Sequence, residues 1–395
     1  MIAPFAISAL PRILFGAGCF RQLPELMQSF GKRVLIVTGA RSFRASLHWQ
    51  GLLDAMKGRG ITWEDMVVQG EPSPQMVDQA VRMYRHAGIE MVVGIGGGSA
   101  LDAAKAIAGL LPHGNSVMEH LEGVGPEKPY HGPSLPFIAV PTTAGTGSEA
   151  TKNAVLSIHG PDGFKKSFRH DLLVAKYALI DPDLLAACPP DLIAANGMDA
   201  LTQLLESYVS SRANPFTDAL ALSGLNYVRD GLLDWHGATA KAAEGRAAMA
   251  YAALLSGITL AQVGLGVVHG LAAPLGAFFP IPHGVACGAT VAVATDINIR
   301  ALEQRQPDSP ALLKYAEVGR LMRGSGRMDN GESRRFLVMV LEEWTKRLAI
   351  PRLAAYGVQE RDFPDLIARC RGNSMKTNPL ILNDEEVGEM LARCL

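Results

Sequence analysis

Asp199, Gln203 and Glu206 recur at i, i+4 and i+7 in a stretch where Leu201, Leu205 and Tyr208 form a separate apolar stripe. On an α-helix this spacing puts the three polar side chains on one face. Such a face is ordinarily the solvated outside of an amphipathic helix. Two histidines open another reading: His269 follows the apolar run Val263 to Val268, and His283 stands in Pro280-Ile281-Pro282-His283-Gly284. Imidazole and carboxylate together suit a zinc or ferrous ion, and a catalytic metal keeps one position open for a substrate oxygen. Each histidine alone reads more simply as a hydrogen-bonded core residue. Their joint appearance with Asp199 is what points to a metal, although spacing alone does not bring the three together in space.

A second chemistry is written in Gly96-Gly97-Gly98-Ser99, which follows the strand-like Met91-Val92-Val93-Gly94-Ile95 and precedes a helix-like run from Ala100 to Leu111. Glycines let backbone N–H groups approach a pyrophosphate without Cβ collision, and a helix N-terminus adds unpaired donors and the positive end of its dipole. Ser99 is expected to cap that helix and Asp102 to sit in its first turn. Ser99 stands where G-x-G-x-x-G has its third glycine, so the general fingerprint is matched in part, and a purely structural turn is the alternative. A second glycine-bearing loop, Pro141-Thr142-Thr143-Ala144-Gly145-Thr146-Gly147-Ser148-Glu149, follows another strand-like run. Two such loops at strand C-terminal ends favour a nucleotide crevice on an open α/β sheet.

The elements that must position these residues differ between the two halves of the chain. Before residue 185, short β-branched runs alternate with amphipathic stretches, the pattern of βα units around a parallel sheet. Strands are expected at Val34 to Thr38, Met66 to Val68, Met91 to Ile95, Phe137 to Val140, Val155 to Ile158 and Ala178 to Ile180. Helices are expected at Ser42 to Arg59 and Gln75 to Ala87, each followed by a glycine. The Gly/Pro/His-rich segment Pro112 to Pro136 reads as a surface excursion. After Cys188-Pro189-Pro190 strand signals vanish, and helical spacing continues to the C-terminus with breaks at Gly231 to Gly237, Pro274 to Pro282 and Gly324 to Gly331. The expected domains are residues 1–187, an α/β dinucleotide-binding domain, and 188–395, a helical domain in which Asn196-Gly197-Met198-Asp199 leads into the site helix.

Bulk composition narrows the function classes. A chain of 395 residues exceeds what one hydrophobic core usually supports. With 37 Lys and Arg against 38 Asp and Glu, and no basic block, nucleic acid is not an expected partner. The five cysteines are odd in number, scattered and never in a C-x-x-C pair, so neither a disulfide framework nor a thiolate zinc site is suggested, and a reducing cytoplasm fits. No signal peptide is read at the N-terminus, and the apolar region Ala247 to Val268 is interrupted by Tyr251, Ser256 and Gln262, so a buried helix is expected there rather than a membrane span.

The motifs together resemble the iron-containing alcohol dehydrogenases, a superfamily that also includes glycerol dehydrogenase and dehydroquinate synthase. The resemblance runs from Ile13-Leu14-Phe15-Gly16 through Gly96-Gly97-Gly98-Ser99-x-x-Asp102 and the Pro141-Thr142-Thr143 loop. It continues through Gly197-Met198-Asp199-Ala200-Leu201-Thr202, His269-Gly270, Pro282-His283-Gly284 and Asn373-Ser374-Met375-Lys376-x-Asn378-Pro379. It implies a dehydroquinate synthase-like fold: an α/β N-terminal domain with a Rossmann-like parallel sheet, an all-α C-terminal domain, and a cleft holding nicotinamide and metal. It further implies a homodimer and a small alcohol or aldehyde substrate.

Family cofactor contacts carry over to Gly96, Gly97, Gly98, Ser99 and Asp102, to Thr142, Thr143 and Thr146, and to Lys165 or its neighbour Lys166 near the nicotinamide ribose. Where NAD-selective members carry an acidic residue after the first core strand, this chain has Gly39, with Arg41 and Ser42 close by. NADP is therefore expected to be accepted alongside or ahead of NAD, with Arg41 or Ser42 touching its 2'-phosphate. The family's Asp, His, His, His ligand set maps to Asp199, Gln203, His269 and His283, for Fe2+ or Zn2+. Ala273 stands where many members place a proton-relay histidine. The implied activity is hydride transfer between nicotinamide and a carbinol carbon, assisted by a metal. The alternatives are a metal-independent carbonyl reductase using the same cofactor, a lyase of the dehydroquinate synthase type, and a catalytically silent nucleotide-binding homologue.

Overall fold

The computed structural model describes residues 2–160 and 162–395. The chain divides into two compact units. One comprises Ser8–Ile158 and Gly163–Cys188; the other comprises Pro189–Leu395 with the short segments Met1–Ile7 and His159–Asp162.

The first unit is built on strands β1 (Arg12–Phe15), β2 (Arg33–Gly39), β3 (Thr62–Val68), β4 (Met91–Gly96), β5 (Phe137–Pro141), β6 (Asn153–Ile158), β7 (Phe164–Arg169) and β8 (Tyr177–Ile180). Its helices are α1 (Leu23–Gln28), α2 (Leu47–Gly58), α3 (Pro74–Tyr84) and α4 (Gly98–Leu110). Six strands form a sheet in the order β1-β8-β5-β4-β2-β3, and every pairing in it is parallel. The central strands are near-continuous Val, Ile and Ala runs because both faces are covered. Alternation along β2 and β4 divides their side chains between two cores. Leu35, Val37 and Val92 pack with α3 and α4, while Val34, Ile36, Val93 and Ile95 pack with α1 and α2.

Several sequence expectations are corrected in this unit. The segment expected as a strand at Val155 to Ile158 does not join the parallel sheet; β6 pairs antiparallel with β7 in a separate two-stranded ribbon. Strand β7, Phe-Lys-Lys-Ser-Phe-Arg, was not anticipated, because its pattern is too polar for a sheet strand, although its Phe168 is fully buried in the core beside α4. Strand β1 is a short edge and was also not read. The segment Pro112 to Pro136 is more than a surface excursion, since Val117, Leu121 and Tyr130 enter the core and the Tyr130 hydroxyl donates to the Gly109 carbonyl at 2.7 Å.

The second unit holds α5 (Pro190–Val209), α6 (Pro215–His236), α7 (Ala242–Val263), α8 (Val267–Phe278), α9 (His283–Arg305), α10 (Pro310–Arg323), α11 (Asn330–Arg347), α12 (Phe363–Arg369) and α13 (Asp384–Cys394). Helix α5 is buried without interruption from Gly197 to Val209 and is packed by α6, α7 and α9. It begins at Pro190, so Asn196-Gly197-Met198 lies inside it rather than leading into it. Two expected breaks fall where helices end, after His236 and after Phe278, but their first residues are still helical. Gly231 sits inside α6, where a Cβ would stand 2.7 Å from the Ala248 Cβ, so the glycine serves the close α6–α7 crossing. Pro274 lies within α8, which continues to Phe278 despite the lost backbone donor. Helices α7 and α9 are long and apolar enough to cross a membrane, but 67% and 78% of their apolar windows are buried inside the protein.

Candidate active site

The polar face of α5 is not solvated. Asp199, Gln203 and Glu206 are 1%, 3% and 6% exposed, which removes the amphipathic-surface reading. Helix α8 begins two residues before His269, and α9 begins at His283. Their first turns bring both imidazoles to Asp199: Nε2 of His269 lies 3.2 Å and Nε2 of His283 3.8 Å from its Oδ1. The two rings are 5.4 Å apart between centroids.

Glu206 fixes this arrangement. Its Oε2 accepts from His269 Nδ1 at 2.6 Å, and its Oε1 accepts from the Val268 backbone N–H at 2.7 Å. The late Asn-Pro motif has a related task, because Asn378 Oδ1 accepts from the Val267 N–H at 3.1 Å. Two side chains thus satisfy donors at the start of α8 that the helix itself cannot. With Nδ1 committed to a carboxylate, His269 presents Nε2 to Asp199, the orientation seen in histidines that ligate metals.

Gln203, mapped as the second ligand, is placed beside Asp199 but engaged otherwise. Its Nε2 donates to Asp199 Oδ1 at 3.1 Å, and its Oε1 accepts from the Ser256 hydroxyl of α7 at 2.8 Å. Cys287, which sequence reasoning passed over, lies one turn beyond His283 on α9. Its Sγ is 3.7 Å from His269 Nε2 and 4.0 Å from His283 Nε2. One donor atom from each of Asp199, His269, His283 and Cys287 lies within 4.8 Å of the others. The signal available in the sequence was the i, i+4 spacing of His283 and Cys287.

Electrostatics follow from this crowding. Burial would raise the Asp199 pKa, but nearby His283 and the hydrogen bond from His269 hold it below the ordinary carboxylate value. Burial disfavours an imidazolium at His269, yet Cys287, Asp199 and Glu206 more than offset it and raise its pKa well above the ordinary value. Burial pushes the Cys287 thiol up to about 11. The two carboxylates that favour positive charge at His269 favour a metal cation in the same pocket. Carboxylate and imidazole donors from three helices, with Asp199 and His269 buried, His283 half-buried and His269 oriented by Glu206, fit a divalent ion.

The glycine turn lies in the α/β unit at the C-terminal edge of the sheet. Strands β2 and β4 are neighbours whose following connections run to opposite sides, toward β3 and toward β5. Ligands of open α/β sheets bind outside such a switch point. Gly39 ends β2 there and Gly96 ends β4. A Cβ on Gly96 would stand 3.1 Å from the Gly39 nitrogen, and one on Gly98 would stand 2.7 Å from the Thr146 side chain. These glycines therefore serve close packing within the protein as well as ligand approach. Gly97, Gly98 and Ser99 remain partly accessible at the α4 N-terminus.

The cap expected at Ser99 is corrected: α4 is preceded by Gly97 with no side-chain cap, and Ser99 is its second residue. Asp102 accordingly lies beyond the first turn. Its carboxylate accepts from Ser148 Oγ at 2.5 Å and from the Val155 N–H at 3.1 Å, tying α4 to the threonine loop and to β6. Thr142 N–H donates to the Gly96 carbonyl at 2.9 Å, and Thr143 and Thr146 face Gly97 and Gly98. Beneath them Lys105, fully buried, donates to oxygens of Ser148, Thr151 and Asn153 at 2.8 to 3.1 Å. On β7, Lys165 pairs with Glu71 at 2.5 Å, while the Lys166 ammonium lies near Gly123. Arg41 and Ser42 are exposed just past β2.

The family model for iron-containing alcohol dehydrogenases matches residues 11–182, and the model for the C-terminal part of the same family matches residues 193–395. The chain belongs to the iron-containing alcohol dehydrogenase family. It is 31% identical over 382 residues to alcohol dehydrogenase 4 of Saccharomyces cerevisiae, covering 95% of each chain. It is 30% identical over 396 residues to an NADPH-dependent butanol dehydrogenase of Clostridium saccharobutylicum, covering 96% of this chain and 95% of that one. Among solved structures, an iron-containing alcohol dehydrogenase from Thermotoga maritima superposes with a TM-score of 0.83 at 27% identity, covering 99% of each chain. The fold is that of the dehydroquinate synthase-like group, and the protein is an NAD(P)-dependent oxidoreductase interconverting an alcohol and its aldehyde or ketone.

Proposed function

We propose that this dehydrogenase acts on a small, fairly apolar alcohol or aldehyde, with Asp199, His269 and His283 holding Zn2+ or Fe2+. The observation that carries the reading is the convergence of these three side chains, from three helices, around Asp199 Oδ1 with Glu206 locking the His269 ring. The ion, when bound, supplies a Lewis acid that stabilises negative charge on the carbinol oxygen. The nicotinamide supplies or accepts the hydride. Backbone N–H groups of Gly97, Gly98 and Ser99 at the α4 N-terminus would hold the pyrophosphate, and Thr142, Thr143 and Thr146 would supply further polar contacts to the dinucleotide. Lys165 would serve the nicotinamide ribose; its ion pair with Glu71 and its electrostatic influence on Asp102, which ties α4 to the threonine loop, support that choice over Lys166. Ala273 cannot titrate, so this position supplies no proton, and proton delivery would fall to a group other than this side chain. Treating the purified enzyme with a chelator is expected to abolish aldehyde reduction, and Zn2+ or Fe2+ to restore it. Equal activity of metal-free and metal-loaded protein would refute the scheme.

NADP is the proposed cofactor, accepted alongside or ahead of NAD. Gly39 places no carboxylate at the end of β2, and exposed Arg41 and Ser42 follow it. The partner for a 2'-phosphate is Arg41, because Arg44 is already paired with Asp65 at 2.6 Å and stacked over Trp49. Comparing kcat/KM for NADPH and NADH decides the point, and strict NADH dependence sinks it. The working state is proposed to be a cytoplasmic homodimer with its five cysteines reduced; light scattering of the purified enzyme reads the stoichiometry.

A further inference from the structure

We propose that Cys287 is the fourth protein ligand of the metal centre, in the place that the family ligand set maps to Gln203. The inference rests on the reading that Asp199, His269 and His283 hold a divalent ion.

Position is the first argument. Cys287 is one turn after His283 on α9, so both side chains project from one face toward Asp199. The residue is fully buried, and its sulfur stands 3.7 and 4.0 Å from the Nε2 atoms of His269 and His283. A tetrahedral site with bonds of about 2.0–2.3 Å separates its donor atoms by roughly 3.3–3.8 Å. The sulfur is therefore at ligand-to-ligand distance from one imidazole and within a few tenths of an ångström of it from the other.

The engagement of Gln203 is the second argument. Its amide N–H group lies 3.1 Å from a carboxylate oxygen of Asp199, and turning the amide over would set oxygen against oxygen there. Its carbonyl is kept on Ser256 at 2.8 Å, away from the cluster. Gln203 thus acts as a positioning residue that donates to Asp199, leaving the fourth coordination position to sulfur.

Donor chemistry is the third. As the sulfur–metal bond forms, the thiol proton leaves to solvent and the thiolate contributes the electron pair. One carboxylate and one thiolate then balance the charge of a divalent ion. A set of carboxylate, two imidazoles and thiolate is softer than one completed by an amide oxygen, which favours zinc, cobalt or ferrous ions over magnesium or calcium.

The test uses Co2+ alone as the probe on the full-length protein stripped of metal. Wild type is expected to bind one Co2+ with thiolate-to-cobalt charge-transfer absorption in the near ultraviolet. Cys287→Ser should lose that absorption and bind Co2+ at least about tenfold more weakly. Gln203→Ala should keep the absorption and lose less affinity than Cys287→Ser. Zinc-edge X-ray absorption of the wild-type protein, which needs no variant to fold, should show one sulfur among the nearest neighbours of the ion. Stoichiometric binding without charge-transfer absorption or sulfur scattering would overturn the assignment while leaving the three-residue site standing. So would a Gln203→Ala variant that loses Co2+ while Cys287→Ser retains it. Failure of the wild type to take up Co2+ at all would overturn both readings together.

Discussion

Glu206 stands behind His269, and the orientation of His269 and the start of α8 both depend on its two oxygens. Glu206→Gln is expected to weaken metal binding by about 10–100-fold, as partners behind a ligating histidine generally do. Competition with a coloured chelator measures it, and unchanged affinity would show that Glu206 serves folding alone. A second residue-scale consequence concerns pH. Burial raises the Glu149 pKa from 4.5 to about 7. Between those values the folded protein binds more protons than the unfolded chain, so this group makes stability fall as pH rises through that window. Glu149→Gln should therefore match wild type near pH 4.5 and exceed it above pH 7, by up to about 3 kcal/mol. Denaturant midpoints at both ends of the window test the sign.

At the scale of elements, the cofactor region depends on how α4 meets the loop after β5. The Lys105 ammonium, buried beneath that loop, is held by Ser148, Thr151 and Asn153 and lies 3.7 Å from Asp102. Lys105→Met strips several oxygens of their donor and leaves a buried carboxylate without its cation. A loss of about 3–5 kcal/mol is expected, read as a lower thermal midpoint. Gly98 is the converse case, a position where an added methyl meets Thr146 at 2.7 Å. Gly98→Ala should cost about 1–3 kcal/mol and weaken NADPH binding. Thr146→Ala in the same chain should restore part of the stability, because the side chain that the new methyl strikes is gone. If the double variant is no more stable than Gly98→Ala, the packing explanation fails.

At the scale of the molecule, the two proposed ligand sites fall in different units: the glycine turn lies wholly in the α/β unit and the Asp199–His269–His283–Cys287 cluster wholly in the helical one. Hydrogen exchange should register them separately. Adding Zn2+ to metal-free protein is expected to slow exchange in α5, α8 and the first turns of α9, because one ion ties three helices together. Adding NADPH at about a hundred times its Kd should stabilise the cofactor unit by about 2.7 kcal/mol, with protection focused on the α4 N-terminus and the loop after β5. Zn2+ protection appearing only in the α/β unit would contradict the assigned site.

The order of strand, glycine turn and helix at Gly96 to Ser99 was legible in the sequence, because phosphate binding, period-two burial and helix starts each leave a local residue pattern. The change to an all-helical second half after Cys188 was legible for the same reason. Asp199, His269 and His283 could be named from residue type and motif. What the sequence could not supply was distance. Asp199 and His269, 70 positions apart, come within hydrogen-bond distance only when α5, α8 and α9 pack, and that packing decides that a polar helix face is buried, that Gln203 turns to Ser256, and that Cys287 stands by the imidazoles. The antiparallel β6–β7 ribbon and the uncapped start of α4 escaped for a related reason, since strand partners and neighbouring loops are set by tertiary contacts that no local period records.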